Sequence, residues 1–304
     1  AGAPVLKRPA RARPEEAPEW WEGGLASQPA EEAPPRRRSG SRPAIRRPAA
    51  AEASEVSSSS GCSAQFRDML DRHAIASIYK QLHLSDIIGP REAAYEAVGG
   101  RKGGGLVHFG KDLSFKAEAL GVEAADGSFT WAWAAKGLIP GLSASQLRSA
   151  QAMRSGEGWS RGEAAPPEFT EGMVPKEHAT GKQIAAVASG LLGVTAYALT
   201  PQGASGSTVM LIVDRNFPPR SPQTKGDALR VSTSIQQALS TGWIQNHALA
   251  IDAFMRSRNW EVRGEGDTRT YTLEGGASYS MEFDKQGKLR QMETNLVPLA
   301  SSTS

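Results

Sequence analysis

The side chains of this sequence that are best suited to acid–base or metal chemistry are its five histidines and its single cysteine, Cys62. The histidines are His73, His83, His108, His178 and His247. No two of them have, together with a cysteine or a carboxylate, the spacing of a familiar zinc site. We therefore expect no metal and no cofactor, and the pattern favours a protein that is not an enzyme.

His247 is the histidine with the most informative surroundings. In the stretch GWIQNHALAIDAFM it shares one face of a predicted helix with Ile244, Ile251 and Phe254. That face is expected to pack on a sheet, where a histidine is stable when it bonds to a backbone group or to a tyrosine such as Tyr279. The alternative is a general base in a pocket.

Two further motifs could carry chemistry, but neither has the required spacing. Glu118, Glu123 and Asp126 are close in sequence, yet the last two fall in a predicted turn, so no acid–base pair is indicated. The glycine-rich stretch VGGRKGGGLV lacks the Gly-x4-Gly-Lys-Ser/Thr order of a phosphate-binding loop. It is predicted to be a flexible connection.

The stretch FTWAWAAKG places two tryptophans two residues apart. On a strand, Phe129, Trp131 and Trp133 would share one face. Beside a strand that carries Phe115, the indoles would build an aromatic core, and we favour this interpretation. The alternative is a ligand pocket that contains Trp131, Trp133 and His247.

These residues must be positioned by helical and strand-like segments, which hydrophobic periodicity identifies. Helices are expected near 66–82, 84–98, 145–155, 175–192, 227–240 and 242–258. Strands are expected near 106–109, 113–120, 129–135, 194–200 and 207–214, with an antiparallel meander of four strands over 260–297. The predicted fold class is α+β, with helices packed on curled antiparallel sheets in cystatin-like or NTF2-like halves over 61–216 and 217–304.

Residues 1–60 have a different composition from the rest of the chain. They contain 9 of the 19 prolines, ten Lys or Arg residues and eight Glu residues. Such a segment buries too little apolar surface to order itself, so we expect an extended tail that docks on a protein partner. RNA docking is the alternative, although the interleaved glutamates would repel phosphate. The residues expected to contact the partner are Trp20, Trp21, Arg36, Arg37 and Arg38.

The composition limits the remaining classes of function. The 304 residues carry a formal net charge of +3, a slight excess that favours no nucleic-acid partner. One cysteine excludes an internal disulfide framework. The sequence contains no Asn-x-Ser/Thr glycosylation site, so it gives no support for secretion. The longest apolar piece, 184–199, is shorter than a membrane span requires, so we expect no transmembrane segment.

The aromatic strand and its neighbours also carry a family resemblance. The residues are Leu120, Gly121, Thr130, Trp131, Trp133 and Ala134, together with LRSAQAMRSGEGW and AAVASGLLGVTAYAL downstream. On these, residues 65–297 resemble a poorly characterised, mostly bacterial domain family of unknown function with a TWLWAWAN-like strand. Ala135 stands where that strand has asparagine. The resemblance implies the fold and no catalytic residues.

The leading hypothesis is a non-catalytic accessory or scaffold subunit of a large organellar complex, docked through the tail. It depends on the absence of a readable active site and on the long extension of residues 1–60. A cup-shaped domain that binds a small molecule or acts as an enzyme is the first alternative, and a ribosome-associated RNA-binding subunit is the second. The residue usage favours import into a plastid, as part of a photosynthetic complex, over a mitochondrion.

Overall fold

The computed structural model describes residues 61–97, 105–135, 137–139, 141–156, 165–218, 225–264, 266–273 and 277–295. Helices and antiparallel strands make up most of these ranges. The α-helices are α1 (Ala64–Ile88), α2 (Arg148–Ser155), α3 (Pro167–Thr170), α4 (Gly181–Leu191), α5 (Lys225–Ser240) and α6 (His247–Ser257). Two short 3₁₀ helices span Ala144–Leu147 and Gly203–Ser205.

The strands form two antiparallel sheets. They are β1 (Ala93–Ala97), β2 (Gly105–Phe109), β3 (Leu113–Ala124), β4 (Phe129–Trp131), β5 (Met173–Val174), β6 (Ala196–Pro201), β7 (Gly206–Ile212), β8 (Glu261–Arg263), β9 (Thr268–Thr272), β10 (Ser278–Phe283) and β11 (Leu289–Asn295). The second sheet, β8 to β11, is a meander in which each strand pairs with the next.

The first sheet is organised around the long strand β3. One edge of β3 pairs with β2 and, further along, with β4, whereas the other edge pairs with β7. β1, β5 and β6 extend the sheet beyond β2, β4 and β7 respectively. β1 and β6 stand at opposite ends of the strand order β1-β2-β3-β7-β6, yet they contact each other. The sheet is therefore curled into a half-barrel.

α1 is the helix on which the other long helices pack. Ser63 caps its N-terminus, because Ser63 Oγ accepts a hydrogen bond from the backbone N–H of Phe66 at 3.1 Å. Gly89, with a φ of 58°, and the following Pro90 end it. α1 contacts α4, α5 and α6. Its buried side chains consequently lie on more than one face.

The helix expected over 84–98 is wrong beyond Ile88. After Gly89 and Pro90 the chain forms β1, whose residues alternate between half-buried and exposed and pair with β2. A run of five residues fits a helical or a strand period about equally well. The hydrogen bonds that β2 offers decide the outcome.

The single strand expected over 129–135 is also wrong. β4 ends at Trp131, and a turn follows in which the backbone N–H groups of Ala134 and Ala135 both donate to the Trp131 carbonyl oxygen at 2.8 Å. β5 pairs only with Phe129 and Thr130. Trp133 therefore lies outside the sheet.

The expected helix start near residue 175 is wrong by six residues. α4 begins after Thr180, where Thr180 and Gln183 form a capping box that satisfies two backbone N–H groups. Between 175 and 179 the chain makes a turn, with the N–H of His178 donating to the carbonyl oxygen of Pro175 at 2.9 Å. A proline can open a helix, but the capping box is the stronger signal here.

The start of the helix expected over 242–258 is wrong by five residues, because Asn246 caps α6 at His247. The remaining predicted helices and strands, and the predicted fold class, are confirmed. The hairpin β6–β7 and the meander β8 to β11 lie where alternation predicts them, and the buried residues of β10 are Tyr279, Met281 and Phe283. The protein is α+β, with helices packed on curled antiparallel sheets. In the described part of the chain, no helix has the length and apolar character needed to cross a membrane.

Candidate ligand-binding pocket

A pocket opens where the curl of the first sheet brings β1 next to β6. Its volume is about 430 Å³, a size typical of sites for small molecules. It is lined by Tyr95, Glu96, Ala97, Gly141, Thr200, Pro201, Gln202 and Thr208. We call it the Tyr95 pocket.

The hydroxyl group of Tyr95 is held by a chain of hydrogen bonds behind it. The backbone N–H of Ser143 donates to Gln146 Oε1 at 2.5 Å, and Gln146 Nε2 donates to Tyr95 Oη at 2.7 Å. Gln146 is buried. Burial also raises the pKa of the Tyr95 phenol, which therefore keeps its proton at neutral pH.

Close packing around the Tyr95 ring requires a glycine on the neighbouring strand. A Cβ at Gly105 would lie 2.7 Å from Tyr95 Cε2 and 2.9 Å from the carbonyl oxygen of Ala117. Both distances are shorter than van der Waals contact. Gly105 thus lets β2 pass directly under the ring and fixes its position.

A second wall of the pocket carries two buried threonines on paired strands. Thr200 of β6 and Thr208 of β7 are register partners, and they are 3% and 1% exposed. Thr200 Oγ1 donates to the backbone carbonyl oxygen of Thr208 at 3.3 Å, and Gln202 Nε2 donates to Thr208 Oγ1. These bonds fix the positions of both hydroxyl groups.

Glu96 places a carboxylate at the rim of the pocket. The Glu96 side chain is 66% exposed, and its Oε2 lies 2.9 Å from Nε2 of His108. His108 Nδ1 lies 2.7 Å from Ser114 Oγ. The eight lining residues include no lysine, arginine or histidine. The pocket thus presents hydroxyl groups, an amide and a solvated carboxylate, which suit hydrogen bonding to a small polar molecule.

The part of the chain that forms this pocket matches a protein family. Residues 67–215 match the family of unknown function DUF6882. We call these residues the DUF6882 segment, and all eight lining residues lie within it. The expected resemblance to a domain family of unknown function is confirmed over this range; its mostly bacterial distribution and its strand motif stay predictions. No curated protein and no solved structure shows significant similarity to the chain.

Trp131, within the DUF6882 segment, is a fully buried core residue. Its Nε1 donates to the backbone carbonyl oxygen of Glu168 at 2.8 Å, and its ring packs on Phe129 and Phe169. The expected neighbouring strand is confirmed, since β4 pairs with β3, which carries Phe115; the Phe115 ring itself packs near the other end of β3 on Phe109 and Phe217. These partners are all apolar rings or backbone groups, so Trp131 is held as a core side chain.

Trp133 stacks on Trp131 although it lies beyond the strand. The two ring centroids are 6.5 Å apart and the rings are inclined by 15°. The guanidinium carbon of Arg154 lies 4.4 Å from the centroid of the Trp133 ring, a cation–π geometry that ties α2 to this turn. Neither indole lines the Tyr95 pocket.

His247 lies outside the DUF6882 segment, at the first position of α6. Its Nδ1 accepts a hydrogen bond from the backbone N–H of Leu289 at 3.1 Å, so the backbone partner is the one observed. Burial, and then the charge of Lys288, lower the pKa of His247 and favour its neutral form. None of the described contacts brings His247 to Trp131 or Trp133.

A second pocket, of about 500 Å³, lies beside α2. Its buried carboxylate, Glu118, accepts hydrogen bonds from Arg148 Nη2 at 2.7 Å and from Ser149 through the backbone N–H at 2.9 Å and Oγ at 2.7 Å. Both carboxylate oxygens are thus engaged in fixing the start of α2 on β3. The Tyr95 pocket is therefore the stronger candidate site.

Two predicted features fall outside the described residues. They are the tail, with Trp20, Trp21, Arg36, Arg37 and Arg38, and residues 99–104 of the glycine-rich connection. Among the residues that are described, no group of three or more His, Cys, Asp or Glu side chains could hold a metal ion.

Sequence reasoning did not single out the residues that form the Tyr95 pocket. Tyr95 was assigned to a helix, and Thr200 and Thr208 to an ordinary hairpin. The available signal was the pair of threonines in otherwise apolar strands, because a buried hydroxyl group needs a partner or a ligand.

Proposed function

We propose that this chain is a binding protein that holds a small polar molecule in the Tyr95 pocket. The observation that carries the proposal is Tyr95, which lines a pocket of about 430 Å³ and whose hydroxyl group is held by a hydrogen bond from the buried Gln146. Such pre-positioned polar groups in a partly apolar pocket are typical of ligand sites. Tyr95 stays protonated and Glu96 is solvated, so the lining favours binding over acid–base catalysis.

The test is to block the pocket and look for a lost ligand. Ala97→Trp should fill the space beside Tyr95, since Ala97 lines the pocket. Ala94→Trp is the matched control, because Ala94 lies on the same strand, is exposed and does not line the pocket. Native mass spectrometry after incubation with a metabolite extract should show bound small molecules on the wild-type chain and on Ala94→Trp. Equal binding by Ala97→Trp would contradict the proposal.

A second candidate function is that of an accessory subunit in a larger organellar assembly. In this role, residues 1–60 attach the subunit to its protein partners. The composition of this segment supports it: prolines, alternating charge blocks and the adjacent Trp20 and Trp21 suit docking into a partner's groove. We propose a plastid as the compartment, and proteins rather than nucleic acid as the partners. This role is compatible with ligand binding by the folded part.

Deletion of residues 1–60 tests this second candidate. The truncated chain should leave its assembly in a gentle co-purification while its melting temperature stays nearly unchanged. Retention in the assembly would contradict docking through this segment. Binding that weakens steeply with salt, in step with the number of arginines removed, would favour RNA instead.

A further inference from the structure

We infer that the Tyr95 pocket selects uncharged, hydroxyl-rich ligands of sugar-like chemistry, an inference that rests on the proposed ligand-binding function. Two features of the pocket lead to it. The first is the direction in which each wall can donate or accept hydrogen bonds. The second is the charge of the lining.

The direction of the hydrogen bond between Gln146 and Tyr95 follows from the backbone N–H of Ser143. The Ser143 N–H can only donate, so the atom of Gln146 that meets it is Oε1, and Nε2 is the atom that faces Tyr95 Oη. Tyr95 Oη accepts that bond and still has its own O–H to donate. A ligand that hydrogen-bonds to this O–H must therefore offer an acceptor atom.

The wall formed by Thr200, Gln202 and Thr208 offers both hydrogen-bond donors and acceptors. Thr208 Oγ1 accepts from Gln202 Nε2, which leaves the Thr208 O–H to donate and Gln202 Oε1 to accept. The Thr200 hydroxyl group donates its hydrogen bond to the carbonyl oxygen of Thr208. A wall that both donates and accepts matches a hydroxyl group, which also does both.

Among the described residues of the lining, none offers a positive charge to an anion. The only charged side chain among the eight lining residues is Glu96, and its carboxylate is contacted by His108. A phosphate or carboxylate would lose water without gaining a positive partner from these eight described residues. Neutral hydroxyl groups lose much less hydration free energy than anions do, and they regain hydrogen bonds from Tyr95 and Thr208.

The experiment compares neutral and anionic sugars on the full chain. D-glucose and maltose are the neutral probes, and gluconate and glucose 6-phosphate are their charged counterparts. Saturation-transfer NMR and calorimetric titration should show binding of a neutral probe, with each anion at least about tenfold weaker. Ala97→Trp should abolish the signal and Ala94→Trp should keep it.

Variants of the two walls test the hydrogen-bond argument. Tyr95→Phe should weaken binding about tenfold by removing one donor, and Thr208→Val should do the same from the other wall. Thr268→Val is the matched control, because Thr268 is an exposed residue of β9 that does not line the pocket. Because Tyr95→Phe leaves Gln146 Nε2 without its partner, a thermal melt must show that the variant is folded; if it is not, Thr208→Val alone decides.

The outcomes separate the two proposals. Stronger binding of an anion, or no binding of any sugar while Ala97→Trp still removes a metabolite adduct, overturns the ligand class and leaves the binding function standing. Unchanged affinity in folded Tyr95→Phe and Thr208→Val overturns the hydrogen-bond argument. Equal metabolite binding by the wild-type chain and Ala97→Trp overturns the binding function itself.

Discussion

At the scale of single residues, His73 shows how burial controls a charge in this protein. It lies on α1, where a Cβ at Gly190 of α4 would meet its ring. Burial, followed by the nearby charges of Lys80 and Arg72, lowers the pKa of His73 to about 4. The side chain is therefore neutral at physiological pH.

We predict that His73 makes the folded state less stable in acid. The unfolded chain takes up a proton near the ordinary pKa of 6.5, whereas the folded chain does so only near 4. The free energy of unfolding should therefore fall as pH drops through this window, by about 3 kcal/mol for this group. Denaturant titrations of the wild-type chain and His73→Gln between pH 7 and 4 measure the difference, because other groups cancel. Parallel curves for the two proteins would contradict the prediction.

At the scale of elements, the contact between α1 and α4 depends on one glycine in the last turn of α4. A Cβ at Gly190 would lie 2.3 Å from Nδ1 and 2.7 Å from Cβ of His73. The second of these atoms is close to the α1 backbone and cannot swing away. Gly190 therefore sets how closely the two helices approach.

Gly190→Ala should destabilise the protein by about 2 kcal/mol, because the strain of overpacking exceeds the gain of about 1 kcal/mol in helix propensity. The double variant His73→Ala with Gly190→Ala should recover at least about 1 kcal/mol relative to the sum of the two single changes. Both values follow from equilibrium denaturation. Additive effects would show that the two residues do not compete for space.

At the scale of the whole molecule, α1 connects the DUF6882 segment to α5 and α6. The Asp71 carboxylate accepts hydrogen bonds from the backbone N–H groups of Gln245 at 2.7 Å and Asn246 at 3.1 Å. The Tyr79 hydroxyl donates to Asp227 on α5. Asp71 and Tyr79 are both buried, so these bonds join distant parts of the sequence inside the protein.

A fragment of residues 61–216 should consequently not fold by itself. It would expose the side of α1 that meets α5 and α6 and would leave Asp71 and Tyr79 without these partners, at a cost of about 1–3 kcal/mol for each unmade bond. Circular dichroism should show no cooperative melt for this fragment. Residues 61–304 serve as the control. A sharp melt of the shorter fragment would contradict the prediction.

Local periodicity was enough to predict much of the fold. The helix from Phe66, the β6–β7 hairpin and the meander of the second sheet each contain enough residues to define a period. The prediction failed for short segments whose structure is decided by strand pairing, as in β1 and at the end of β4. The family resemblance was visible for the same local reason, since it depends on residues that are close in sequence.

The sequence by itself determined the α+β class, the main helices and hairpins, and the different character of residues 1–60. Only the tertiary structure decided where a pocket forms, because it needs β1, the turn at Gly141 and the hairpin near Thr200 to meet. These segments are separated by many residues, and what joins them is the curl of a sheet centred on β3. No local pattern records that curl, since it arises from strand pairing and helix packing across the whole chain.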